Sequence, residues 1–320
     1  MDISKENTLR KLILLLSLLF LFPSNPLRAN SYPDNRPEVK TVLEKRDPDL
    51  ILIPFDLVGN MIVVKARVNG QEGNFIVDTG TDIMVLNSSV FAEHQYSFAT
   101  NGVSINDRID EVKMTNVKFA WNGIQRRQLA AKIIDLKLIE RSKGVQIIGF
   151  IGHSILKDFE VLFDYEKRML TLFRLDRRGE RIDQSYFKEP PVHRMKLSMA
   201  DHFPYVKAER EGRVFQFIID SGAEMNLLSP RAEKALSADL NFINTRYLIG
   251  FGQERIPTKE YLVQNLKIND LQLKPMHTLI SKLDGFNEVL NHSLDGFLGY
   301  EFLSQQKTSI NFRRKELLLW

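Results

Sequence analysis

The 320-residue chain has no cysteine. That absence excludes disulfides, thiolate zinc sites, a cysteine nucleophile and lipid attachment through Cys, so stability has to come from burial alone. Long apolar runs are also missing. The longest, Leu12 to Phe22, covers eleven residues, short of the roughly 20 that a membrane-crossing helix requires. Lys and Arg are scattered and the formal net charge is only +4, which gives no footprint for nucleic acid. His94, His153, His193, His202, His277 and His292 show no metal-ligand spacing, so neither a metal nor a cofactor is expected. Two fragments of familiar motifs are incomplete. Gly250-Phe251-Gly252 lacks the third glycine of a dinucleotide loop, and Gly152-His153-Ser154-Ile155-Leu156 lacks the final glycine of a nucleophile elbow.

What is present begins with a hydrophobic fraction of 43%, enough for a packed core. Residues 1–29 read as a signal peptide: a basic flank at Lys5, Arg10 and Lys11, the short apolar stretch, and a polar exit with a cut after Ala29. The expectation is export to the periplasm or the medium with no membrane span in the mature form, or a membrane anchor if the segment is retained. Residues 1–29 carry four basic and two acidic side chains, so their removal leaves +2.

The chain contains itself twice. Val64-Lys65-Ala66 recurs as Val206-Lys207-Ala208, and Phe75-Ile76-Val77-Asp78-Thr79-Gly80 recurs as Phe217-Ile218-Ile219-Asp220-Ser221-Gly222, both at an offset of 142. Further along, Gly149-Phe150-Ile151-Gly152 returns as Gly296-Phe297-Leu298-Gly299 at an offset of 147, so the second copy gained a few residues in between. The expected organisation is a linker over 30–49, one lobe over 50–176, a charged, Pro-containing linker over 177–191 and a second lobe over 192–320. Short segments rich in Ile, Val, Leu and Phe, broken at Asn69-Gly70, Asn122-Gly123 and Asn269-Asp270, predict a mostly β unit. Helices are predicted after each Asp motif, with Ser229 as cap and Pro230 at the first helical position in the second copy and a weaker version from Ser88 in the first.

An Asp that ends an apolar strand and precedes Thr or Ser and then Gly lies in a tight loop against the core, the glycine allowing a sharp turn. Such a carboxylate is poorly solvated and needs hydrogen bonds or a shared proton. Duplicated units that face each other across a twofold axis bring their carboxylates together there. Like charges in contact cannot both ionise, so one member acts as base on a water while the other, protonated, donates to the carbonyl under attack.

With these residues the chain resembles the pepsin and retropepsin superfamily, and most closely the bacterial aspartyl proteases with a retropepsin-type fold. The motif stands as Ile76-Val77-Asp78-Thr79-Gly80-Thr81 and Ile218-Ile219-Asp220-Ser221-Gly222-Ala223, and the second signature as Phe150-Ile151-Gly152 and Phe297-Leu298-Gly299. A lone Asp-Ser/Thr-Gly arises by chance in roughly one chain of this length in seven; two, each behind an apolar strand and each followed by the second signature, do not. The resemblance implies an all-β fold of two β-barrel lobes related by pseudo-twofold symmetry with a cleft between them. It implies Asp78 and Asp220 as the catalytic pair and Thr79 and Ser221 as braces between the loops. Gly80, Thr81, Gly222 and Ala223 complete those loops, with Gly152 and Gly299 packing beneath. A flap is expected at Gly250-Phe251-Gly252, whose glycines suit a mobile tip; Ser104 to Arg108 in the first copy lacks them. The partner is a peptide or protein substrate, and the cleft forms within a monomer. A peptide-binding protein that keeps the cleft but no longer cleaves is the alternative.

The two motifs differ at one position, Thr81 against Ala223. A Thr81 hydroxyl bonded to Asp78 would favour ionised Asp78 and leave the shared proton on Asp220.

Overall fold

In a computed structural model of the chain, residues 12–13, 47–91, 98–103, 108–249 and 255–320 are described. The expected signal peptide lies outside them apart from Leu12–Ile13, which pair in parallel with Tyr247 and Leu248. The expected linker before the first lobe is described only from residue 47.

The architecture is all-β, in three sheets. In the first half the strands are β1 (Leu50–Pro54), β2 (Asp56–Val58), β3 (Met61–Val68), β4 (Gln71–Val77), β5 (Met84–Asn87), β6 (Phe98–Val103), β7 (Arg108–Trp121), β8 (Ile124–Ile134), β9 (Gly149–Ile151), β10 (Phe159–Asp164) and β11 (Met169–Arg174). Three short helices accompany them: α1 (Ser88–Phe91), α2 (Lys137–Lys143) and α3 (His153–Leu156). One sheet runs β2-β3-β4-β9-β5-β8-β7-β6, and a second contact of β3 with β7 curls it toward closure. Two of its hairpins turn at Asn69-Gly70 and Asn122-Gly123. All four residues have positive φ, as a two-residue turn compatible with strand twist demands.

The second half repeats this plan with β12 (His193–Lys196), β13 (Ser198–Ala200), β14 (Phe203–Arg210), β15 (Arg213–Ile219), β16 (Asn226–Leu228), β17 (Leu240–Ile249), β18 (Arg255–Val263), β19 (Lys267–Ile268), β20 (Leu271–Gln272), β21 (Met276–Ile280), β22 (Gly296–Leu298), β23 (Thr308–Asn311) and β24 (Glu316–Leu319). Its helices are α4 (Pro230–Ala235), α5 (Asp284–Leu290) and α6 (Tyr300–Leu303). At the start of α4 the Ser229 side chain accepts from the Ala232 amide at 3.2 Å with Pro230 in the first turn, the cap read from the sequence.

Each half inserts one short strand into the middle of its sheet. β9 lies parallel to β4 and antiparallel to β5, and β22 lies parallel to β15 and antiparallel to β16. Gly149 and Gly296 open these strands. A Cβ there would sit 2.3 Å from Val85 O and 2.0 Å from Leu227 O respectively, so only glycine lets the backbones approach.

The third sheet joins the halves in the order β12-β24-β23-β10-β11-β1, three strands from each. Its middle is an antiparallel pairing of β10 with β23, Val161 opposite Ile310 and Leu162 opposite Ser309, through which the pseudo-twofold axis passes. One hydrophobic core runs through it from Phe55, Val161 and Phe163 to Ile310 and Leu317. Each half keeps a smaller core of its own, around Phe150 in the first and Phe297 in the second. The stretch over 177–191 folds back onto this sheet: Arg181 pairs with buried Glu160 and its guanidinium lies 3.9 Å over the Phe173 ring.

Candidate active site

Asp78 follows β4 and Asp220 follows β15, strands whose last three residues are fully buried or nearly so. The carboxyl groups are themselves without solvent exposure. Their amides are held by the inserted strands: Asp78 N–H donates to Ile151 O and Asp220 N–H to Leu298 O, each at 3.0 Å. The two Asp loops are therefore fixed at the ends of the strands and meet on the pseudo-twofold axis.

Across that axis the loops clasp each other. Thr79 N–H donates to Ser221 Oγ at 3.1 Å, and Ser221 N–H donates to Thr79 Oγ1 at 3.0 Å. Each hydroxyl donates onward to the opposite strand, Thr79 to Ile219 O at 3.0 Å and Ser221 to Val77 O at 2.9 Å. Gly80 N–H donates to Asp78 Oδ1 at 2.7 Å, and Gly222 N–H to Asp220 Oδ1 at 2.8 Å. The other oxygens, Asp78 Oδ2 and Asp220 Oδ2, are buried and accept no hydrogen bond from the described residues.

Neither Gly80 nor Gly222 has positive φ, so the sharp turn expected of them is not why they are glycine. A Cβ on Gly80 would lie 2.7 Å from Asp220 Oδ1, and one on Gly222 only 2.4 Å from Asp78 Cγ. Each glycine makes room for the opposite carboxyl. Beneath, a Cβ on Gly152 would meet Thr81 Cγ2 at 2.5 Å, and one on Gly299 would meet Ala223 O at 2.3 Å. The first amides of α3 and α6 tie down the same loops, His153 N–H to Thr81 O at 2.8 Å and Tyr300 N–H to Ala223 O at 3.0 Å.

Thr81 departs from expectation. Its hydroxyl donates to Ile83 O at 3.3 Å rather than to Asp78. Burial raises both carboxyls: Asp78 is pushed well above the ordinary range, with the neighbouring Asp220 adding to the shift. Burial pushes Asp220 up to about 6, held back by the neighbouring Asp78 and by the backbone N–H groups of Gly222, Ala223 and Gly80 near it. Burial thus raises both members of the pair, as expected of two carboxyls that share a proton.

Sequence reasoning overlooked a layer of side chains around the loops. Tyr165 and Tyr300 pack edge to face at 5.4 Å, and at the equivalent places His153 and Phe312 do so at 4.9 Å. Burial raises Tyr165 and lowers His153 to about 4. Asp82 and Glu224 close the two loops and each meets a buried lysine, Lys132 and Lys143. Burial lowers Lys132 to about 8 against the pull of Asp82, and raises Glu224 to about 7 against the pull of Lys143. The repeat aligns Tyr300 with His153 and Glu224 with Asp82, a signal that was available. The expected flap residues Gly250, Phe251 and Gly252, like Ser104 to Asp107, lie outside the described residues; β17 with β18, and β6 with β7, form the hairpins that flank them. Among the described residues no three His, Asp or Glu converge as metal ligands.

Residues 64–155 and 206–302 each match the aspartyl protease family, and together they span more than half of the chain. The chain belongs to that family, as a retropepsin-like protein carrying two tandem copies of the unit in one polypeptide. No curated protein matches it.

Proposed function

We propose that the chain is an aspartic endopeptidase that hydrolyses peptide bonds through a water activated by Asp78 and Asp220. One observation carries the reading: two fully buried carboxyls from equivalent loops face each other, with one oxygen of each held by a glycine amide and the other unbonded. Burying such a pair without use is costly, and its chemistry is that of one acid beside one base. The protonated member of the pair donates to the carbonyl oxygen of the scissile bond. The other, as carboxylate, takes a proton from the water whose oxygen adds to the carbonyl carbon. When the tetrahedral intermediate collapses, the C–N bond breaks and the proton taken from the water passes to the leaving nitrogen. The second proton returns to the pair, which is restored.

The substrate is a peptide or protein laid in the cleft between the lobes, with Gly250-Phe251-Gly252 as the flap over it. On this reading the cleft forms within a monomer, supported by the six-stranded sheet to which each lobe of the chain gives three strands. Export rests on the basic flank and eleven-residue apolar run of the leader. No helix among the described residues is long and apolar enough to cross a membrane. Incubation of the chain with a denatured protein library, with and without a pepstatin-type inhibitor, tests the reading. Inhibitor-sensitive cleavage is expected, and no cleavage at any pH would leave only the silent peptide binder.

A further inference from the structure

The two Asp loops end in carboxylates at equivalent places of the repeat, Asp82 and Glu224. Both are held by lysines, and both lysines come from the first lobe. Lys132, on β8, meets Asp82 at 2.6 Å with its side chain fully buried. Lys143, the last residue of α2, crosses the interface to Glu224, the two side chains exposed by only 6% and 5%. The second lobe offers neither lysine. Strand register places Lys132 opposite Val85 and Leu279 opposite the equivalent Leu227. Helices α2 and α5 correspond residue for residue at the offset of 147, which puts Leu290 where Lys143 stands.

The contact across the interface is prepared on the first-lobe side. Asn60 Nδ2 donates to Glu224 O at 3.2 Å. Its neighbour Gly59 has φ +55°, and a Cβ there would lie 2.7 Å from Lys143 Nζ. The equivalent turn of the second lobe carries Asp201 and His202 instead. A buried ion pair gains little net stability over a well-packed apolar pair of the same size, and at the positions of the two lysines the second lobe has leucines, Leu279 and Leu290. What Lys143 adds is direction: a charge-assisted contact fixes where residue 224 sits, and Glu224 lies four residues from Asp220.

The geometry points to Lys143 as a positioning residue for the second Asp loop, supplied by the first lobe, so that the Glu224 end of that loop, already held at Asp220 and Ala223 from within its own lobe, is set in place when the lobes are docked. The lobes are then not interchangeable: the first supplies a lysine to each loop and the second supplies one to neither. The kinetic arm of the test rests on the endopeptidase reading, whereas the exchange arm does not.

The test compares Lys143→Met, Lys143→Arg and the double variant Lys143→Met/Glu224→Met with the parental full chain. Amide exchange is followed over residues 221–226 and 79–84, with kcat, KM and Tm measured alongside. Lys143→Met is expected to speed exchange about tenfold in 221–226 alone. It should also lower kcat by roughly ten- to a hundredfold, the cost of a misplacement of about 1 Å, with KM little changed. Lys143→Arg should retain the parental values. The double variant removes the unpaired charge and should recover Tm without recovering kcat or protection. Recovery of both by the double variant, or equal loosening of the two segments in Lys143→Met, would make the pair a stability element only and overturn the proposal. If Lys143→Met fails to fold, the double variant against the parent decides. A parental chain that cleaves nothing would sink the endopeptidase reading while exchange still decides the role of Lys143.

Discussion

Thr79 and Ser221 each accept the other's backbone amide while donating to the other lobe's strand, so four buried hydrogen bonds depend on two hydroxyls. Removing one hydroxyl strands a buried amide and a buried carbonyl. Thr79→Val or Ser221→Ala should cost about 1–3 kcal/mol for each group left unpaired and lower kcat, whereas Thr79→Ser should stay close to the parent. Denaturant unfolding followed alongside turnover checks this, and an unchanged midpoint in Thr79→Val would contradict the clasp.

Gly80→Ala and Gly222→Ala drive a methyl group against the opposite carboxyl. Both are expected to lose cleavage by at least about a hundredfold, the scale of a misplacement of about 1 Å at a reacting group, and to lose inhibitor binding in parallel. Titration with a pepstatin-type inhibitor provides the measurement. Tight binding by either variant would mean that the loops yield without disturbing the carboxyls.

The rate profile follows from the pair. The working form carries one proton, so activity should fall on the acid side as the pair gains a second and on the alkaline side as it loses the one it shares, with the alkaline limb above the ordinary carboxyl range because burial raises both groups. Because the Thr81 hydroxyl serves Ile83, Thr81→Ala should leave both limbs in place. A shift of the alkaline limb in that variant would restore the hydroxyl to the pair.

Stability should respond to pH in the opposite sense from a salt-bridged carboxylate. Both folded values stand above the unfolded one, so stability from these groups is complete below the unfolded range and is lost as pH rises through the folded values. Asp78→Asn should therefore raise Tm by a few degrees at pH 8, with the gain vanishing toward pH 4. Calorimetry across that range tests it; a constant difference would remove burial as the cause.

An equimolar mixture of Asp78→Asn and Asp220→Asn chains should stay inactive, because the β10–β23 pairing that docks the lobes is made within each chain. Recovered turnover in the mixture would establish pairing between chains instead.

Contiguous residues determined much of this protein. The duplication, the two Asp loops, the glycine signatures, the Asn-Gly hairpins and the Ser229 cap are all local patterns, and local patterns set strand, turn and helix ends without reference to distant partners. The all-β class and the pairing of Asp78 with Asp220 followed from the repeat, since equivalent units meet at an axis. The tertiary structure alone decided what each of these residues touches there. Gly80 is glycine because Asp220, 140 positions away, lies against it. The Thr81 hydroxyl turns to a backbone carbonyl two residues on rather than to the carboxyl three residues back. Lys143 meets Glu224 only because lobe docking brings α2 onto a loop of the other half. Such contacts depend on how two packed lobes are oriented, and a repeat that is symmetric in sequence cannot show where the folded copies differ.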